Sequence, residues 1–277
     1  MKITILVSIL ISIVSLAESK SVQNYIVNGN KADQGQFPHQ ATLLIRQTYW
    51  GGYKYIPFCG ATVISNQWLA TAGHCSLGLN LPYDVSKLRV IIGVHNLNHE
   101  DRILGTVERF IPHPKFRMVP RIANDIGLIK LKEPINFNLR NDITPAKLPS
   151  KTAVFTGVAQ VSGHGLTDPR YQDSLSEHLR WIDVKILEDR ACTNFPLYRT
   201  GQAKFDSNTM ICAVANPGSS PCNGDSGGPL VQKSGNGFAL FGVVSFGPRN
   251  CGMEGFPFIF TKVSSYIDWI NDVMANV

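Results

Sequence analysis

The sequence predicts an all-β protein: two packed six-stranded antiparallel barrels followed by a C-terminal helix. Three observations predict it. From Ala41 onward the chain consists of short apolar or alternating runs bounded by Gly, Pro and Asn, the pattern of many short strands. About twelve such runs fall into two sets of six, which suits a pair of closed sheets. Between the sets lies a junction, 138–151, where polar and proline residues cluster without strand periodicity. With 277 residues and 44% hydrophobic composition the chain can fill real cores.

The N-terminus comes first. Met1-Lys2 precedes an apolar run from Ile3 to Leu16 interrupted only by threonine and serine, and Ser15-Leu16-Ala17 offers small residues for a signal-peptidase cut after Ala17. A membrane-spanning reading is weaker, because the run is short for a bilayer and no later segment is apolar enough. Residues 1–17 are therefore expected to be a signal peptide, and the polar leader 18–25 a propeptide too short to fold alone. The folded domain is expected over 26–277.

The first six strands are predicted at Ala41 to Arg46, Phe58 to Ile64, Trp68 to Ala72, Leu88 to Ile92, Arg102 to Ile111 and Ile126 to Leu131. The second six are predicted at Val158 to Ser162, His178 to Ile186, Met210 to Val214, Pro229 to Gln232, Ala239 to Phe246 and Phe258 to Val263. At the end of the chain Ser264 or Ser265 can cap a helix whose Ile267, Ile270 and Met274 share one face. That stripe predicts a helix docked on the core, since its polar face lacks the basic residues of a membrane-surface helix.

The chemistry centres on Asn223-Gly224-Asp225-Ser226-Gly227-Gly228-Pro229-Leu230, a serine on a glycine-lined turn ahead of a strand. A serine hydroxyl is a weak nucleophile and needs a base, and the oxyanion formed by its attack needs preorganised donors. Gly224 through Pro229 matches the nucleophile motif of the chymotrypsin/trypsin family of serine endopeptidases. Thr71-Ala72-Gly73-His74-Cys75 resembles that family's histidine motif, and Asn124-Asp125-Ile126-Gly127-Leu128-Ile129 its aspartate motif. The order His, Asp, Ser is that family's order. The resemblance runs from Ile26 to the C-terminus.

The resemblance implies a triad of His74, Asp125 and Ser226, with an oxyanion hole formed by the Gly224 and Ser226 N–H groups. It implies that Ser245 helps orient the aspartate, and that Phe246, where tryptophan is more usual, keeps an aromatic platform. For the six cysteines, an oxidising compartment predicts disulfides but leaves fifteen pairings open. The family pattern implies Cys59–Cys75, Cys192–Cys212 and Cys222–Cys251. Ile26-Val27-Asn28-Gly29 resembles the N-terminus that family zymogens expose on activation, with the freed Ile26 ammonium pairing with Asp225. Tyr25 departs from the usual Arg or Lys before the cut, so cleavage after an aromatic residue or self-activation is implied. In the primary specificity pocket the floor position is Ser220, followed by Pro221, where trypsin-like members carry aspartate. Gly247 leaves the entrance open, and Phe258 occupies an inner-wall position where chymotrypsin and trypsin carry glycine. The implied preference is for Leu, Met or Ala before the scissile bond.

The net charge of +6 falls to +5 without Lys2, Lys20 and Glu18, and the basic residues are scattered. Neither a nucleic-acid partner nor a membrane partner is indicated. No metal is expected: His95 and His99 lie in a loop-like run, and Val94 stands where a calcium-ligating glutamate occurs in many family members, despite Glu100 and Asp101 nearby. No cofactor is expected. The resemblance implies a secreted, extracellular monomer acting on protein or peptide substrates and met by protein protease inhibitors. Two rival readings remain, a catalytically silent homologue that binds or regulates and a trypsin-like regulatory protease.

Overall fold

A computed structural model of the chain describes residues 26–77, 84–93, 95–99, 102–140, 142–171, 173–195, 204–248 and 250–277. The expected signal peptide, propeptide and Tyr25 lie outside these residues, as do Val94, Glu100 and Asp101.

Each of the twelve predicted runs is a strand. Barrel one is a closed antiparallel ring of β2 (Gln40–Tyr49), β3 (Gly52–Val63), β4 (Trp68–Thr71), β7 (Gly127–Leu131), β6 (Ile103–Pro112) and β5 (Leu88–Ile92). Barrel two closes through β8 (Val158–Gly163), β9 (Arg180–Ile186), β10 (Met210–Ala215), β13 (Phe258–Lys262), β12 (Gly237–Phe246) and β11 (Pro229–Ser234). Closure removes the sheet edges and gives each ring an inner face for its apolar residues. Three features escaped the sequence reading. A two-residue strand β1 (Asn30–Lys31) pairs with β9, a short helix α1 (Asp189–Thr193) precedes the Cys192 disulfide, and the β2–β3 hairpin extends as far as Tyr49 and Gly52. The hairpin's outer part alternates polar and aromatic residues, a pattern that the apolar-run criterion passes over.

Within 138–151, Ala146 N–H donates to Val63 of barrel one, while Lys147 exchanges hydrogen bonds with Phe238 and Leu240 of barrel two. A direct bond between the barrels, Ser162 Oγ to Gln40 Oε1 at 2.7 Å, joins two buried side chains. The C-terminal helix α2 (Ile267–Asn276) packs Ile270 and Val273 into the core shared with barrel one, as its stripe predicts. Its expected serine cap is corrected. A 3-10 turn, Val263–Tyr266, leads into the helix, and Ser265 Oγ donates to the Asn208 carbonyl, so neither serine hydroxyl is spent on the helix N-terminus. No helix among the described residues is long and apolar enough to cross a membrane.

His39 is a buried exception in this core. It is fully enclosed, its ring lies 4.8 Å from that of Phe238, and neither ring nitrogen has a hydrogen-bond partner. Burial lowers its pKa to about 3. Because the unfolded chain takes up the proton near the ordinary pKa of about 6.5, this site's contribution is intact above that pH. It is lost progressively as pH falls from there toward 3. His39→Phe should therefore flatten the acid limb of a plot of Tm against pH. An unchanged limb would show that His39 is not a source of acid lability.

Candidate active site

Barrel topology brings His74 and Asp125 together. β4 and β7 are neighbours with Thr71 opposite Gly127. The 3-10 turn Gly73–Ser76 that follows β4 therefore sits beside the residues entering β7. Asp125 is 2% exposed. Its Oδ1 accepts the His74 backbone N–H at 2.8 Å, and its Oδ2 lies 2.8 Å from His74 Nδ1. A carboxylate can only accept, so Nδ1 carries the proton and Nε2 keeps its lone pair. Ser245 Oγ donates to the same Oδ2 at 2.5 Å, and Thr261 Oγ1 donates to the Asp125 carbonyl at 2.6 Å. Ser245 is where the family pattern puts an orienting serine, whereas Thr261 was missed: a threonine in a strand carries no signal of its own.

Ser226 comes from barrel two, just ahead of β11. Its loop is held by Asp225 N–H to Cys222 O, Gly227 N–H to Val244 O and Gly60 N–H to Ser226 O, at 3.0, 2.8 and 2.7 Å. The approach to barrel one is too close for side chains. A Cβ on Gly227, whose φ is 79°, would stand 2.3 Å from Thr71 Oγ1 and 2.6 Å from Gly60 O. Ser226 thereby lies against the segment that carries His74, its carbonyl 3.7 Å from Cys75 Sγ. No acceptor among the described residues takes the Gly224 or Ser226 N–H. The disulfides join Cys59 to Cys75, Cys192 to Cys212 and Cys222 to Cys251, so the first clamps the His74 turn and the third the Ser226 loop.

The family model described as Trypsin matches residues 26–270. The chain belongs to the trypsin family. It is similar to mouse tryptase, with 34% identity over 89% of this chain and 87% of the relative. Similarity to human kallikrein-15 is 35% over 78% and 81%. For phenoloxidase-activating factor 3 of Holotrichia diomphalia it is 32% over 88% and 71%. This is a family of serine proteases, and the two barrels with a C-terminal helix are its fold.

In this trypsin-family chain Asp225 is fully buried, and burial raises its pKa to about 7 against the opposing pull of two N–H donors, Cys222 and Gly165, each at 2.8 Å. Gly163 and Gly165, unremarked in the sequence, form its cradle: a Cβ on either would come within 2.5 Å of the carboxylate. Ile26 is also fully buried, in the core of barrel two, and Val27 bridges to Ser220.

A cavity of about 240 Å³ adjoins Ser226, lined by Pro221, Asn223, Ser245, Phe246, Gly247 and Phe258 among others, none of them charged. Ser220 is a correction. It is fully buried with its Oγ accepting the Gly252 N–H at 2.7 Å, so it does not line the cavity; Asn223, Val244 and Pro248 do. Phe258 faces the cavity and lies across Gly247, where a Cβ would stand 2.4 Å from the ring.

Proposed function

We propose that the chain is the secreted zymogen of a serine endopeptidase that cleaves after apolar residues, with His74, Asp125 and Ser226 as its triad. The observation that carries this reading is the buried Asp125 carboxylate holding His74 Nδ1 at 2.8 Å, which directs the basic Nε2 away from Asp125. Ser226 Oγ attacks the scissile carbonyl as His74 Nε2 takes its proton. The oxyanion is received by the Gly224 and Ser226 N–H groups. His74 then returns the proton to the leaving amine, and water repeats the sequence to release the acid. Titration with an active-site serine reagent tests this. Covalent labelling at Ser226 of the activated chain is expected, and no labelling would favour the silent-homologue reading.

Activation requires cleavage between Tyr25 and Ile26. Until then the Ile26 nitrogen is an amide and cannot neutralise Asp225. The ammonium released by the cut pairs with the carboxylate, whose burial otherwise opposes its ionisation, and the pair holds the Gly224 loop. In the intact chain the folded pKa of about 7 lies above the ordinary value of 3.8, so the neutral form favours folding. That contribution is complete below about 3.8 and is lost as pH rises through about 7. The Tm difference between the intact chain and its Asp225→Asn variant should accordingly move in the variant's favour from pH ~4 to pH ~8. A pH-independent difference would remove Asp225 from the switch.

The uncharged lining rejects Arg and Lys, because no carboxylate is present to pair with a desolvated cation. Phe258 shortens the cavity and so favours Leu, Met or Ala over Phe and Tyr. Phe258→Gly is expected to shift selectivity toward Phe and Tyr by about 10 to 200-fold in a peptide-library profile. Strong cleavage after Arg by the parent enzyme would overturn the pocket assignment. The enzyme is further read as an extracellular monomer controlled by protein inhibitors.

A further inference from the structure

We infer that the outer face of barrel one, away from the apolar pocket beside Ser226, is a docking site for an acidic polypeptide segment carrying an apolar anchor side chain. Strand register assembles it. Leu44 and Arg46 alternate onto one face of β2, with Leu44 opposite Pro57 and Arg89, Arg46 opposite Tyr55, and Ile91 of β5 opposite Leu104 of β6. On an outward barrel face the alternation rule calls for polar side chains, and here it meets a mixed set. Leu44, Pro57, Ile91, Leu97, Leu104 and Leu175 help line a cleft of about 320 Å³. Leu104 is 50% exposed, and along the same hairpin Tyr53 is 59% exposed and the Trp50 side chain at the tip wholly so.

The charge beside the cleft defines the partner. Arg46 stacks over the Tyr53 ring at 5.4 Å and Arg89 over the Tyr55 ring at 5.3 Å. Both cations are thereby held in place at the rim, and neither has a carboxylate partner among the described residues. Arg102 and Glu177 complete the charged lining. Preset guanidinium groups around an apolar hollow favour carboxylates that flank an apolar side chain. The cleft is also continuous with the catalytic loop: Leu175 Cδ2 lies 3.0 Å from the place a Cβ on Gly224 would occupy. A polypeptide in the cleft is therefore within reach of the reaction centre. That the partner is a substrate or inhibitor rests on the protease reading; the binding itself does not.

Calorimetry of the intact chain tests the site, using a blocked peptide of Glu, Asp and Gly with a central Leu, and the same peptide with Lys for each acidic residue. Saturable binding of the acidic peptide is expected, weakened by salt. Arg46→Glu combined with Arg89→Glu should weaken it by about tenfold or more. Leu104→Asp, a change at a half-exposed position that leaves the core intact, should weaken it as well, while Lys151→Glu, at the surface pair with Asp268, should not. Equal binding of the basic peptide, no saturable binding, or indifference to both sets of variants would overturn the inference. Self-association abolished by Leu104→Asp would overturn it too, by making a second copy the occupant. Hydrolysis by an activated chain that fails to bind the peptide would sink this inference and leave the protease reading standing.

Discussion

Ser226→Ala in the activated chain is expected to lower kcat by about a million-fold while leaving Tm essentially unchanged. The two halves of this expectation have separate causes. The fold of the loop is held through its backbone, by the bonds from Asp225 N–H to Cys222 O, Gly227 N–H to Val244 O and Gly60 N–H to Ser226 O, and by the Cys222–Cys251 disulfide. Alanine keeps all of them. What it removes is the attacking oxygen, so no acyl-enzyme can form. The remainder is the rate that Gly224 and Ser226 N–H groups provide by stabilising the oxyanion of direct water attack. A single-turnover assay with an ester substrate reads the loss, and an intact acylation burst in the variant would overturn the assignment of Ser226.

Asp125→Asn is expected to cost about ten-thousand-fold in kcat, through the tautomer of His74 rather than through unfolding. The carboxylate serves three donors at once: the His74 backbone N–H on Oδ1, and His74 Nδ1 with Ser245 Oγ on Oδ2. An amide has one accepting end. If it stays with the backbone N–H, the NH₂ group faces Nδ1, which must then accept, and the imidazole proton moves to Nε2. The base that should receive the Ser226 proton is then already protonated. The ratio of variant to parent in kcat, with KM compared alongside, decides the case. A large change in KM with kcat retained would mean that Asp125 shapes substrate binding rather than the base.

The barrel strands could be read from the chain because short apolar runs between turn residues mark strands locally, without reference to partners. Likewise the three motifs name their own reactive atoms. Features that depend on a distant neighbour were silent. Gly163 and Gly165 are ordinary glycines until Asp225 lies against them, and Thr261 is an ordinary strand residue until its hydroxyl meets the Asp125 carbonyl. Ser220 was placed at the pocket floor by its position in the chain, yet its hydroxyl is spent on Gly252 N–H, thirty-two residues away. The serine cap of α2 failed for the same reason: Ser265 found the carbonyl of Asn208 instead.

By itself the sequence established the strand pattern and the resemblance to serine endopeptidases, since these rest on residue identity and local periodicity. Tertiary structure alone decided which atoms meet. Pairing of β4 with β7 puts His74 beside Asp125, closure of barrel two sets the Ser226 loop on Gly60 and Thr71, and the packing of Phe258 on Gly247 shapes the cavity. The burial that raises Asp225 to about 7 and lowers His39 to about 3 likewise follows from packing. The physical reason is that hydrogen-bond partners and desolvation depend on contacts between residues far apart in the chain, and no local pattern encodes them.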